Sequence, residues 1–184
     1  AGGASAAARA RRLCEQCDIV VFERGPHVSF ANCGLPYFVG GEIVEPDSLL
    51  LQTPETLRAR FNLDVRVNTE VTGIDRNART VKVRELATAR EYDQPYDALV
   101  LSTGASPLKP PIPGIDRDGH FTVRNIPDVE RIMAWIKDGE ACRAVVVGGG
   151  YIGLEMAEQL KRRGLRVTVV EAMSQVMTPL DPEM

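Results

Sequence analysis

The chain contains no apolar run of about 18 residues or more, the length a helix needs to cross a membrane. Its opening residues, Ala1-Gly2-Gly3-Ala4-Ser5-Ala6-Ala7-Ala8-Arg9, have no basic stretch leading into an apolar one. No membrane span or secretion signal is therefore expected, and the protein reads as soluble and cytoplasmic. Positive charge is not in excess either. With a net charge of -3 and a pI near 5.5, neither nucleic acid nor an acidic membrane surface is an expected partner, and the ligand should be small. Histidine is scarce: His27 and His120 stand alone, neither among Asp, Glu or Cys in a metal-binding pattern, so no metal site is expected and surface or loop roles fit both. Cysteine is scarce as well. Cys14, Cys17, Cys33 and Cys142 do not form a dense disulfide framework, and 184 residues with 44% hydrophobic content can bury a sizeable core without one.

What is present is a strand and helix alternation. Gly2 and Gly3 lead straight into an alanine-rich helix with no strand before it, and Asp18-Ile19-Val20-Val21-Phe22-Glu23 follows as a buried parallel strand ending in an acid. Together they read as the second half of a βαβ unit, with its first strand missing upstream. Residues 65–83 alternate apolar and polar around Arg76-Asn77-Ala78, which predicts antiparallel strands and a hairpin inserted into the α/β pattern. The run Tyr96-Asp97-Ala98-Leu99-Val100-Leu101-Ser102-Thr103-Gly104-Ala105 reads as another buried strand reaching a turn. Pro107, Pro110, Pro111 and Pro113 then crowd into a crossover, dividing an expected domain 1–110 from a domain 111–184. Beyond it come a helix near 127–137, a strand over 144–147, a helix over 151–163 and a strand over 166–170. The fold class is therefore α/β, two Rossmann-like three-layer units with an antiparallel insertion. Both units look incomplete, since nothing after Glu171 is long enough to finish a doubly wound sheet.

In Ala144-Val145-Val146-Val147-Gly148-Gly149-Gly150-Tyr151-Ile152-Gly153-Leu154-Glu155 the glycines fall at G-x-G-x-x-G spacing directly after the strand. Gly148 permits a tight turn, Gly150 lets backbone approach a pyrophosphate, and Gly153 lets helix and strand pack closely. The pyrophosphate would sit on the helix N-terminus, where unpaired N–H groups favour anions. Glu171 ends the next strand, where an acid can accept from a ribose 2′-hydroxyl and repel a 2′-phosphate, so NADH is favoured over NADPH. A glycine turn alone could merely join strand to helix. Here strand, turn, helix, second strand and acid occur together. Gly2, Gly3 and Glu23 look like the remnant of a second fingerprint, weaker by itself because small residues opening a helix often serve packing only.

Cys33, in Ser29-Phe30-Ala31-Asn32-Cys33-Gly34-Leu35-Pro36-Tyr37, stands just ahead of a short predicted helix, where unpaired N–H groups would favour a thiolate. No second cysteine lies four or five residues away, so an internal dithiol is not expected. From spacing alone Cys33 would more often be an inert buried thiol. Cys14 and Cys17 form one C-x-x-C pair. It lacks the second ligand pair zinc needs and closes a helix instead of opening one, so a structural role is expected, as for Cys142. Arg9, Arg11 and Arg12 read most simply as a solvated helix face.

Two fingerprints flanking the Cys33 segment, with Ser102-Thr103-Gly104-Ala105 between them, resemble the pyridine nucleotide-disulfide oxidoreductases, in particular their coenzyme A-disulfide reductase branch. The resemblance covers nearly the whole chain. It implies FAD on the first fingerprint, with Gly2, Gly3, Glu23 and Arg24 on its adenosine side and Thr103 and Gly104 near the flavin. It implies NADH or NADPH on the second, at Gly148, Gly150, Gly153 and Glu171, with Glu155 near the nicotinamide. Cys33 would be the catalytic thiol, and Ser5, Arg9, Arg12, Ser29 and Asn32 would hold coenzyme A. The substrate would be coenzyme A disulfide or a persulfide, and the whole enzyme a homodimer whose C-terminal domain adds tyrosines to the partner's site. The alternative branch, the NADH oxidases and peroxidases, cycles its cysteine through sulfenic acid. That branch usually has a histidine where Ala1 stands and Leu-Ser where Ala31-Asn32 stands. A position that often carries a coenzyme A-binding lysine corresponds to Phe61. A further alternative is an NADH:acceptor flavoprotein in which Cys33 is idle.

Overall fold

The computed structural model describes residues 2–139 and 141–181, which fold as two compact units. One is the described part of Ala1–Phe30 with Leu50–Gly104, the other that of Ala31–Leu49 with Ala105–Met184. No helix among the described residues is long and apolar enough to cross a membrane.

The first unit opens with α1 (Gly2–Leu13), where five alanines supply the strongest helix propensity available. Ala7, on its inner face, joins Leu57 and Leu63 in a buried cluster, against which Ile19, Val21, Val28, Phe61 and Val65 pack. Strand β1 (Val20–Phe22) pairs in parallel with β4 (Asp64–Arg66), Val20 lying opposite Asp64. Between them, β2 (Ser29–Phe30) pairs antiparallel with β3 (Leu50–Gln52). Helix α3 (Pro54–Phe61) is fixed at its start by Thr53, whose hydroxyl accepts the Thr56 N–H while the Thr56 hydroxyl accepts that of Thr53.

The expected hairpin is present and is extended by a third strand. β5 (Thr69–Asp75), β6 (Thr80–Glu85) and β7 (Glu91–Pro95) form an antiparallel meander in which Val81 and Val83 are buried and Lys82 and Arg84 exposed. The Asp75 carboxylate makes the first turn by accepting the Asn77 and Ala78 N–H groups.

Two expectations need correction in this unit. Residues 96–105 do not form a strand, and Leu99, Val100 and Leu101 are exposed, because no strand among the described residues pairs with the segment. Cys14 and Cys17, expected to be structural, form a disulfide closing the turn after α1, with their Cα atoms 5.6 Å apart. Arg11 is not simply solvated: its guanidinium donates to the carbonyls of Phe61 and Asn62 at 2.9 Å and to those of Cys14 and Glu15, clamping the end of α1 to the end of α3. Arg9 and Arg12 are exposed, as a solvated face would have it.

The second unit contains α2 (Leu35–Gly40), α4 (Ile126–Asp138), β8 (Arg143–Val147), α5 (Tyr151–Arg162) and β9 (Arg166–Val170), with β8 and β9 parallel and in register from Arg143 opposite Arg166 to Val147 opposite Val170. Asn125 caps α4, its side chain accepting the Asp128 N–H while the buried Asp128 carboxylate accepts the N–H groups of Arg124 and Asn125. Helix α2 packs on both α4 and α5. Leu35, Phe38, Val39, Ile126, Val129, Ile132, Met156 and Leu160 are the buried apolar side chains of these helices.

Candidate functional site

The turn between β8 and α5 follows from its glycines. Gly148 has φ +104°, a conformation L side chains rarely adopt, and its N–H is held by the Val170 carbonyl at 2.8 Å. A Cβ at Gly153 would fall on the Gly148 carbonyl oxygen and lie 3.1 Å from the carbonyl carbon, so only glycine allows α5 to start this close to the strand end. Around Gly150 nothing stands within 4 Å of such a Cβ, which leaves open space beside the first turn of α5. That turn carries no acidic side chain. Open space beside a helix start whose first turn carries no acid suits a pyrophosphate, so the residues fit a dinucleotide.

Glu171, at the end of β9, reaches this turn. Its carboxylate accepts the Gly149 N–H at 2.6 Å and the Met173 N–H at 2.9 Å. These backbone donors, Met173 foremost, hold its pKa below the usual carboxylate range. Glu155, one turn into α5, is half-buried. The fingerprint residues Gly148, Gly150, Gly153, Glu155 and Glu171 thus occupy one end of one strand-helix-strand unit. Sequence reasoning missed two neighbours. Val176 lies where a Cβ at Gly149 would come within 2.7 Å, and the Met177 N–H donates to the Gly149 carbonyl at 2.8 Å. They sit in an irregular segment after β9, where no periodicity signals a contact.

In the first unit, the start of α1 lies against Ser102: a Cβ at Gly3 would be 3.2 Å from the Ser102 Cβ. This places Gly2 and Gly3 beside the segment leading into Thr103 and Gly104. The first turn of α1 has no acidic residue. Glu23 immediately follows β1, and its carboxylate accepts the Gly25 N–H at 2.7 Å, while Arg24 is exposed and paired with Glu70 at 3.7 Å. A half-exposed acid at a strand end and a helix N-terminus free of acids fit the adenosine and phosphate parts of a dinucleotide. Ala1, which occupies the position of the oxidase histidine, lies outside the described residues.

Cys33 is an exposed free thiol in a single 3-10 turn, Asn32–Gly34, that runs directly into α2. The turn is held by the Ala31 N–H on the Leu49 carbonyl at 2.8 Å and by the Gly34 N–H on the Ala31 carbonyl at 2.9 Å. Cys142 is also exposed and free. Of the residues expected to hold coenzyme A, Ser5, Arg9 and Arg12 are spaced along one face of α1 and Ser29 lies on β2, all in the first unit. Asn32, exposed beside Cys33, belongs to the second. Arg12 and Arg60 both stack over the Phe61 ring, at 5.9 and 5.3 Å from its centroid.

Residues 1–184 match the family model of the pyridine nucleotide-disulphide oxidoreductases. The chain belongs to this family. It is 39% identical over 184 residues to the coenzyme A disulfide reductase of Staphylococcus haemolyticus, covering 100% of this chain and 41% of that relative. It is 38% identical over 185 residues to an NADH oxidase of Methanocaldococcus jannaschii, again 41% of the relative's length. Among solved structures, reduced Bacillus anthracis CoADR-RHD superposes with a TM-score of 0.97 at 50% identity, over 100% of this chain and 33% of that one. The α/β class expected from the sequence is therefore that of a pyridine nucleotide-disulphide oxidoreductase. The chain spans about 41% of the length of the curated relatives it matches.

Proposed function

We propose that this chain is the nucleotide-binding part of an FAD-dependent oxidoreductase that takes a hydride from NADH and delivers the electron pair, through Cys33, to coenzyme A disulfide or a related persulfide. The observation that carries the reading is the placement of Cys33: an exposed thiol at the start of α2, in the same unit as the open glycine turn and Glu171. FAD, when bound, accepts the hydride and hands two electrons on to sulfur.

The chain's own residues have distinct tasks in this scheme. Gly148, Gly150 and Gly153 hold the dinucleotide pyrophosphate against α5, Glu171 accepts from the ribose hydroxyls, and Glu155 stands beside the nicotinamide. Gly2, Gly3, Glu23, Arg24, Thr103 and Gly104 hold the flavin nucleotide. The Cys33 thiolate attacks one sulfur of the substrate disulfide, forming a mixed disulfide and expelling one thiolate. Two electrons then cleave the mixed disulfide, releasing the second thiolate and restoring Cys33; protons from solvent complete both thiols. Ser5, Arg9, Arg12, Ser29 and Asn32 are the groups proposed for coenzyme A, where cations beside phosphates make charge-assisted hydrogen bonds. The negative charge of Glu171 disfavours a 2′-phosphate, which supports NADH as donor.

The test is NADH-dependent reduction of coenzyme A disulfide by the flavin-loaded whole enzyme and its Cys33→Ser variant, since this chain alone is expected to be a weak catalyst or none. Turnover should fall about a thousandfold or more in the variant while NADH still bleaches the flavin. Full activity in Cys33→Ser would overturn the mechanism. The similarity to an NADH oxidase favours a second reading, in which Cys33 reduces oxygen or peroxide through its sulfenic acid. Peroxide turnover in the absence of any disulfide would select it.

A further inference from the structure

We propose that Gln159, acting with Glu42 and Arg163, is a positioning residue that joins the dinucleotide helix α5 to the thiol helix α2, so that occupation of the glycine turn is felt at Cys33. The inference rests on the reading of that turn as the dinucleotide site and of Cys33 as the redox thiol.

Helix α2 has six residues, among them Pro36, Val39 and Gly40, and is too short to persist by its own hydrogen bonds. Its position, and that of the Asn32–Gly34 turn before it, is therefore set by what it packs against. Leu35, Phe38 and Val39 are buried, Val39 completely. At its C-terminal end the contacts come from α5 and the residue following it. The Arg163 guanidinium donates to the Val39 carbonyl, as a cation at a helix C-terminus should. Gln159 is only 1% exposed, and its amide donates to the Glu42 carboxylate at 2.8 Å, which also accepts from Arg162.

The approach of the two helices leaves no slack. A Cβ at Gly40 would fall on the Gln159 Oε1 and lie 2.7 Å from its Cδ. That oxygen is buried and has no hydrogen-bond partner among the described residues. An amide that used only half its hydrogen-bonding capacity for burial could be replaced by leucine or methionine without loss. What the amide does here that an apolar chain could not is hold Glu42 at the end of α2. Along α5, Glu155, Gln159 and Arg162 follow at i, i+4 and i+7, so one face of the helix carries both the residue proposed for the nicotinamide and the grip on α2. The helix starts at the glycine turn, and at about 1.5 Å per residue Gln159 stands about 12 Å along it. A ligand that orders the start of α5 thereby restrains α2 through a rigid rod.

The experiment measures alkylation of Cys33 by iodoacetamide, read by peptide mass spectrometry, with and without saturating NAD+, in the flavin-loaded protein. NAD+ affinity is measured in parallel by calorimetry, and Cys142, the other exposed thiol of the same unit, serves as internal control. In wild type NAD+ should slow Cys33 alkylation about fivefold and leave Cys142 unchanged. In Gln159→Met and in Glu42→Ala, the second an exposed site that does not endanger folding, the slowing should disappear while NAD+ affinity stays the same. Retention of the slowing in both variants would overturn the proposal, as would a wild-type Cys33 indifferent to bound NAD+. Failure of NAD+ to bind wild type would instead overturn the dinucleotide reading beneath it, so the two failures are told apart by calorimetry.

Discussion

The Glu171 carboxylate accepts the Gly149 N–H at 2.6 Å, so the acid at the end of β9 is fixed on the glycine turn before any ribose arrives. A preordered carboxylate loses little freedom on binding, and in the proposed binding mode its charge would oppose a 2′-phosphate. Glu171→Gln keeps the shape and removes the charge. We expect the preference for NADH over NADPH, as a ratio of kcat/KM values, to fall roughly tenfold or more. An unchanged ratio would show that discrimination lies elsewhere.

The same backbone donors set a pH dependence. The N–H groups of Met173 and Gly149 lower the Glu171 pKa in the folded protein below its unfolded value. A depressed carboxylate pKa contributes stability that is present above the unfolded value, about 4.3, and is lost as pH falls through the lower folded value. The difference in Tm between wild type and Glu171→Gln should therefore stay constant from about pH 8 to about pH 5 and shrink only in more acidic solution. A difference that declines between pH 7 and 6 would show that Glu171 does not carry it.

The strand, turn, helix and strand that position Glu171 were legible because each declares itself locally: Val145 to Val147 and Val167 to Val170 as β-branched runs, Gly148 to Gly153 by spacing, and α5 by its amphipathic period. The hairpin of β5 and β6 was legible for the same reason. Strand β7, Glu91-Tyr92-Asp93-Gln94-Pro95, was not, since its residues are mostly polar and it ends in proline; pairing with β6 makes it a strand. Residues 96–105 erred the other way, because an apolar run becomes a strand only beside another strand. Arg11 and Gln159 were illegible in principle. A charged or polar side chain on a helix looks solvated until the carbonyls or helix end it meets, some 50 to 120 residues away, are known.

Two glycines of the turn should respond differently to the same substitution. At Gly153 an added Cβ meets the Gly148 carbonyl, part of the backbone that forms the turn, and cannot be relieved by rotating a side chain. Gly153→Ala should cost about 1–3 kcal/mol in urea unfolding and weaken NADH binding as well. At Gly150 the φ of -79° suits alanine and nothing lies within 4 Å. Gly150→Ala should leave stability within about 0.5 kcal/mol of wild type yet weaken NADH binding, because the methyl fills space meant for the pyrophosphate. Equal stability losses at both positions would contradict the geometry.

Cys14 and Cys17 offer the complementary separation, stability without catalysis. Their disulfide closes a loop of four residues counting both cysteines, for which chain entropy gives about 2 kcal/mol of stabilisation. A Cys14→Ser, Cys17→Ser double variant should lose about that much while retaining NADH-dependent turnover within about twofold. Cys33→Ser should do the reverse, keeping stability and losing turnover, because Cys33 is exposed and free. Thiol titration under denaturing, non-reducing conditions should find two reactive groups, Cys33 and Cys142, and all four after reduction. Loss of turnover in the double variant would move the redox chemistry to the C-x-x-C pair and leave Cys33 without its proposed part.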